Sequence, residues 1–204
     1  MGNGALLLCF FLIAVAPSVF SCPPSDRAAL LAFKAALNEP YLGIFESWTG
    51  SDCCHDWFGV SCDPTNSRVA DINLRGECED PIFQRAHRSG GYMSGQISPE
   101  ICNLDRLSNL VVADWKGISG PIPACVTSLP FLRVLDVVGN SISGPLPPDI
   151  GNLSRLTVLN VADNQISGRI PPLHHPPRSP HAPRPPQQPH LRRAPRRPRQ
   201  AEDA

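Results

Sequence analysis

The apolar positions of the central chain recur with a period in the twenties, longer than any single helix or strand. Leu129, Leu132, Leu135, Val137, Asn140, Ile142, Gly144 and Pro147 return 24 residues later as Leu153, Leu156, Leu159, Val161, Asn164, Ile166, Gly168 and Pro171. One unit earlier stand Leu104, Leu107, Leu110, Val112, Trp115, Ile118, Gly120 and Pro123, with one extra residue around Lys116-Gly117. Val69, Ile72 and Leu74 open a further unit. There Leu74 precedes Gly95 by 21 residues where Val137 precedes Gly144 by 7, so fourteen residues are inserted, within 76–92. Each unit predicts one short strand with its leucines turned inward, and a bend at which the Asn side chain satisfies backbone groups. No unit buries its own apolar side, so the units are stable only when stacked. A continuous helical array is excluded by the proline that closes each Gly-x-x-Pro or Gly-x-Ile-Pro segment, because proline there breaks a helix.

Upstream the pattern changes. Leu30, Phe33, Lys34 and Leu37 fall on one helical face, and Ser25 is placed as the N-cap of that helix. Residues 5–16 form a 12-residue apolar run, too short to span a bilayer and suited to the core of a signal peptide. Val19 and Ser21 stand at −3 and −1 of a cut before Cys22, giving a leader over 1–21. No second apolar run approaches spanning length, so a secreted product without a membrane span is expected.

Composition alters this picture at one place. The chain of 204 residues has a formal net charge of zero, but residues 22–171 hold 11 Lys and Arg against 16 Asp and Glu. Residues 172–204 hold seven Arg against Glu202 and Asp203, with ten of the 24 prolines. An acidic body is thus joined to a basic, Pro-rich tail, whose few apolar groups predict disorder. The abrupt change also fits out-of-frame translation of a GC-rich gene. The tail interleaves no aromatic residue with its arginines, so specific nucleic-acid recognition is not expected.

Secretion favours disulfides over metal ligation. Seven cysteines follow the leader: Cys22, Cys53, Cys54, Cys62, Cys78, Cys102 and Cys125. His55 beside Cys53 and Cys54 lacks the second close pair that a zinc site needs. Cys102 and Cys125 lie seven and five residues after Gly95 and Gly120, in nearby columns of consecutive turns. Turns about 4.8 Å apart bring them within disulfide range. No triad, HExxH, phosphate loop or C-x-x-C motif is present, so catalysis, metal and cofactors are all unexpected.

The segments Ile-Ser-Gly-Pro-Ile-Pro (118–123), Ile-Ser-Gly-Pro-Leu-Pro (142–147) and Ile-Ser-Gly-Arg-Ile-Pro (166–171) resemble the plant-specific leucine-rich repeat. Residues 22–63 resemble the N-terminal cap of such arrays, through Cys22, Asp26, Ala29-Leu30-Leu31-Ala32-Phe33-Lys34, Trp48 and Cys53-Cys54-x-x-Trp57-x-Gly59-Val60-x-Cys62-Asp63. Leu42-Gly43-Ile44-Phe45, Asp80-Pro81-Ile82-Phe83-Gln84 and Val112 to Gly120 resemble the DNA-damage-repair/toleration subgroup, relatives of polygalacturonase inhibitors. The resemblance implies an α/β leucine-rich-repeat solenoid, with parallel strands on a concave face and a 3-10 or irregular convex side bearing a short extra sheet. It places a disulfide-linked cap over 22–63 and about four turns over 69–171. It further implies the pairs Cys22–Cys53 and Cys54–Cys62; with Cys102–Cys125 paired by the stacking of turns, Cys78 is then the odd thiol. In those families the array runs on for more turns, whereas here the pattern ends at Pro171. An apolar edge over Leu153 to Ile170 is therefore expected.

Such proteins act through exposed residues of the concave strand face. The candidates are Asn73, Val111, Ala113, Asp114, Asp136, Val138, Asn160, Ala162 and Asp163, a mildly acidic stripe suited to a protein or peptide ligand. The resemblance implies plant defence or cell-wall recognition outside the cell, with a secreted polysaccharide hydrolase as a candidate partner. The subgroup name implies instead a role in DNA-damage toleration, and a non-functional truncated product is the third reading. Asn152-Leu153-Ser154 is a glycan acceptor sequence.

Overall fold

The computed structural model describes residues 22–76 and 91–172. The expected leader, Cys78 with most of the insertion, and the tail from 173 lie outside the described residues. One helix opens the described chain, α1 (Pro24–Ala35). Two short strands follow, β1 (Leu37–Asn38) and β2 (Val60–Cys62), and then the repeating coils. Each coil contributes a strand to a first sheet: β3 (Val69–Arg75), β5 (Asn109–Ala113), β7 (Val134–Asp136) and β9 (Val158–Asn160). Each contributes another to a second sheet: β4 (Met93–Gln96), β6 (Lys116–Gly120), β8 (Ser141–Pro145) and β10 (Gln165–Ser167). Single 3-10 turns at Pro99–Asn103, Ala124–Ser128 and Pro148–Asn152 complete the coils.

The strand orders are β2-β3-β5-β7-β9 and β1-β4-β6-β8-β10. Within each sheet the repeat strands are parallel, while β2 and β1 join antiparallel at the head. The first sheet is the concave face, and the second is the extra sheet expected from the Ile-Ser-Gly segments. Leucines at matching phases stack between them: Leu104, Leu107 and Leu110 are fully buried, and Leu129, Leu132 and Leu135 nearly so. Removing a leucine side chain from water contributes about 2 kcal/mol, so each added coil stabilises its neighbour through several such contacts.

Asparagines stitch the bends. Asn140 Nδ2 donates to the carbonyls of Val112, Val137 and Val138 at 2.7, 2.9 and 3.2 Å. Asn164 repeats this with Val137, Val161 and Ala162, and its Oδ1 accepts from the Ile142 amide. In the coil with the extra residue Trp115 takes the asparagine's place, and its buried indole Nε1 donates to the Leu74 carbonyl at 3.0 Å. The bend column Asp114, Gly139 and Asp163 has φ of 64°, 70° and 51°. A Cβ on Gly139 would stand 2.6 Å from Asp114 Oδ1.

Two local expectations fail at the head. The residue before α1 is Pro23, with proline again in the first turn, and no side chain caps the helix. The Ser25 hydroxyl donates instead to Asp26 Oδ1 at 3.2 Å. Pro24 at the first helical position starts the helix two residues too early for Ser25 to cap it. Leu37 likewise leaves the helical face, because α1 ends at Ala35 and Leu37 pairs with Gly95 in β1. The buried face of α1 is Asp26, Ala29, Leu30 and Phe33. Asp26 accepts from Arg68 Nε and Nη2 and from the Val69 amide at 2.8–3.1 Å. That ion pair ties the helix to the first repeat strand and satisfies a carboxylate that burial alone would penalise.

At the other end β9 is only half-buried, and Ile170 is 77% exposed. Leu159, Val161 and Ile166 are partly buried against the core. Among the described residues no further coil covers them.

Candidate functional site

Ladder register places the concave residues in rows. Asn73, Val111, Asp136 and Asn160 are successive partners across β3, β5, β7 and β9. Asn73 is exposed, while Val111 and Asn160 are half-buried. At the end of the next row Ala162 and Asp163 are exposed and Asp114 is half-buried. Three candidates do not reach solvent: Ala113 is fully buried, and Asp136 and Val138 are 6% and 9% exposed. Each has a physical reason. Ala113 is the register partner of Arg75, whose longer side chain lies on its side of the sheet. Val138 lies past the end of β7, where the chain bends and the in-out alternation of a strand no longer applies. Asp136 is covered by an ion pair.

That ion pair centres on Arg75, which the repeat pattern did not single out. Its Nη1 donates to Asp114 Oδ2 at 2.9 Å and its Nη2 to Asp136 Oδ2 at 2.7 Å. Burial works against the guanidinium's charge, but hydrogen bonds and charge from Asp136, then Asp114, outweigh it and raise its pKa above the ordinary value. Asp136 Oδ1 also accepts from the Val138 amide at 3.3 Å. The result is a pinned fork bridging three coils, flanked by the exposed Asn73 and Asp163 and the half-buried Asn160. Nearer the head, Asn109 donates to Asp71 on the adjoining strand. The fork is pre-ordered by its ion pairs.

The cysteines are paired as Cys22–Cys53, Cys54–Cys62 and Cys102–Cys125. The sulfurs of Cys22, Cys53 and Cys54 lie within 4.8 Å of one another, but these bonds already engage them. His55 Nδ1 lies 2.9 Å from Asp52 Oδ2, the nearest of its ring contacts. Asn152 is exposed at the end of the third 3-10 turn, where its Nδ2 donates to Asp149 Oδ1 at 3.2 Å.

Coils with one inward-facing strand each, an asparagine or indole at the bend and a disulfide-tied N-terminal segment define the class. The chain has the fold of a leucine-rich-repeat solenoid. The leucine-rich-repeat N-terminal domain matches residues 23–63, and the leucine-rich repeat matches 131–153 and 155–175. Over 135 residues the chain is 57% identical to DNA damage-repair/toleration protein DRT100 of Arabidopsis thaliana, covering 66% of this chain and 36% of that protein. It is 32% identical over 133 residues to polygalacturonase inhibitor 1 of Oryza sativa subsp. japonica, covering 65% and 36% respectively. The chain thus spans about a third of the length of these relatives. Among solved structures it is similar to the ectodomain of the Arabidopsis thaliana receptor kinase GASSHO1/SCHENGEN3 in complex with CASPARIAN STRIP INTEGRITY FACTOR 2. That match has a TM-score of 0.60 and 26% identity, and covers 72% of this chain and 16% of the other. Among the described residues no helix is long and apolar enough to cross a membrane.

Proposed function

We propose that this protein is a secreted, extracellular binding module of plant defence or cell-wall recognition, which engages a protein or peptide through its concave face. The candidate partner is a secreted polysaccharide hydrolase, as the name of the rice relative suggests. The observation that carries the reading is the Arg75–Asp114–Asp136 fork among exposed polar side chains. A face whose charged groups are already ordered loses little side-chain entropy on binding. The Asn152 sequon is expected to carry a glycan in the secreted form.

The test is secretion of the full chain from plant cells, followed by binding and inhibition measurements against a panel of fungal polygalacturonases. Binding that weakens about tenfold in a N73D/N160D variant supports the reading, since adding like charge to an acidic face changes complementarity. Absence of binding across the panel counts against the hydrolase as partner. The name of the Arabidopsis relative favours a second reading, in DNA-damage toleration. A fluorescent fusion found in the nucleus and not in the apoplast would favour that one.

A further inference from the structure

Arg106, Phe131 and Arg155 occupy one phase of three consecutive repeats, each standing one residue before an inward leucine: Leu107, Leu132 and Leu156. Stacking makes them a column along the edge from which the concave strands start. The guanidinium carbons of Arg106 and Arg155 each lie 4.7 Å from the centroid of the Phe131 ring. One arrives from the coil before and one from the coil after, so the two cations sandwich the ring. Arg133, exposed two residues after Phe131, adds a third guanidinium to the same edge.

Among the described residues neither Arg106, Arg133 nor Arg155 has a carboxylate within ion-pair distance. The nearby Asp105 pairs instead with Arg68, at 2.6 Å. Asp63 has its carboxyl held below the ordinary range chiefly by hydrogen bonds from Thr65, and it feels Arg106 only at a distance. A bound anion would supply the countercharge that these guanidinium groups lack among the described residues.

We infer that this edge is a second docking surface, whose partner is an acidic polypeptide segment in extended conformation. Three features select that partner. First, both faces of the only aromatic ring in the column are already covered, which leaves no platform for a nucleobase or a sugar ring to stack on. Second, what remains outward are the N–H edges of planar guanidinium groups, the geometry that takes carboxylates two hydrogen bonds at a time. Third, Arg106 and Arg155 are two coil steps apart, about 9.5 Å at strand spacing, and three residues of polyproline II advance about 9.3 Å. Carboxylates at positions i and i+3 of such a segment meet the two arginines together. The inference rests on the reading of the chain as a protein-binding module, but it uses a different surface from the concave fork.

The test is residue-resolved footprinting of the full secreted chain with the arginine reagent phenylglyoxal, read by mass spectrometry. The probe is an oligoglutamate peptide, with oligogalacturonate and single-stranded DNA as comparison polyanions. The peptide is expected to slow modification of Arg106 and Arg155 by about fivefold or more, as engaged guanidinium groups should be, while leaving Arg75 unchanged. In R106Q/R155Q, whose altered side chains are exposed and should not disturb folding, affinity for the peptide is expected to fall about tenfold. Equal protection by all three polyanions, or protection confined to the arginines after Pro172, overturns the inference. Peptide protection without hydrolase binding would sink only the concave-face reading, so the two failures are distinguishable.

Discussion

Arg75 reaches Asp136 across an intervening strand: their side chains meet at 2.7 Å although β3 and β7 both pair with β5 and not with one another. The pair is a brace between the first and third coils, independent of the backbone ladders. Replacing Arg75 by Met leaves Asp136, itself 6% exposed, without its cation. The expected loss is about 2 kcal/mol in urea unfolding, the cost of an unpaired buried polar group. R75M/D136N should lose less than R75M alone, and a double-mutant cycle on these two positions measures the coupling.

The two bend asparagines should respond unequally to an added charge. Asn140 Nδ2 faces three carbonyls and its Oδ1 has no hydrogen-bond partner. Asn140→Asp would aim a carboxylate at those carbonyls in a buried site, with an expected cost of about 3 kcal/mol or more. Asn164 already uses its Oδ1 to accept from Ile142 and is half-buried, so Asn164→Asp should cost clearly less. Chemical denaturation of the two variants side by side checks the order.

Two glycines separate backbone strain from steric conflict. Gly139 and Gly144 have φ of 70° and 85°. A Cβ at Gly144 meets only Pro121 Cβ at 3.8 Å, whereas one at Gly139 meets Asp114 Oδ1 at 2.6 Å. Gly144→Ala should therefore cost about 1 kcal/mol for the left-handed conformation alone. Gly139→Ala should cost more and disturb the Arg75–Asp114 contact, which crystallography of the variant would reveal. Equal losses at the two positions would refute this distinction.

The pH dependence has a defined sign at Asp63. Hydrogen bonds from the Thr65 hydroxyl and amide hold its carboxyl below the ordinary carboxylate value, with Arg106 adding a smaller effect. A group depressed in the folded state contributes stability above its unfolded value of about 3.9. That contribution fades as pH falls through the folded value. Asp63→Asn should thus lower stability at pH 6, and the deficit should shrink as pH falls below about 3.9. A constant difference across that range would contradict the assignment.

Much of the architecture could be read before any coordinates, because a repeat states its pattern several times. The inward leucines, the asparagine bends and the placing of Cys102 beside Cys125 follow from phase, while the extra sheet was implied by the resemblance of the Ile-Ser-Gly segments. What phase cannot convey is how far a side chain reaches. Arg75 was not singled out by the repeat pattern, since its partners lie 39 and 61 residues away in other coils. For the same reason Ala113 and Asp136 were expected in solvent, when a neighbour's long side chain and an ion pair enclose them. Val138 was misplaced differently, by extending strand alternation past a strand that ends at Asp136. At the head, Ser25 had the right chemistry for a cap but stood one residue inside a helix already begun by proline.

The antiparallel strands β1 and β2 at the head of the two sheets have a consequence for how such a protein varies over time. Both ladders change from antiparallel to parallel at the first repeat, and every later junction is parallel. Among the described residues the two ends of the stack are therefore not interchangeable: one begins on antiparallel strands, the other ends on the parallel strands β9 and β10. Duplication or loss of a whole coil leaves the antiparallel head and its disulfides untouched, so length becomes a quantity that selection can adjust in integer steps. Such a molecule behaves like a ruler with a zero mark, and a residue's place on it can be read as a number of turns from Cys22.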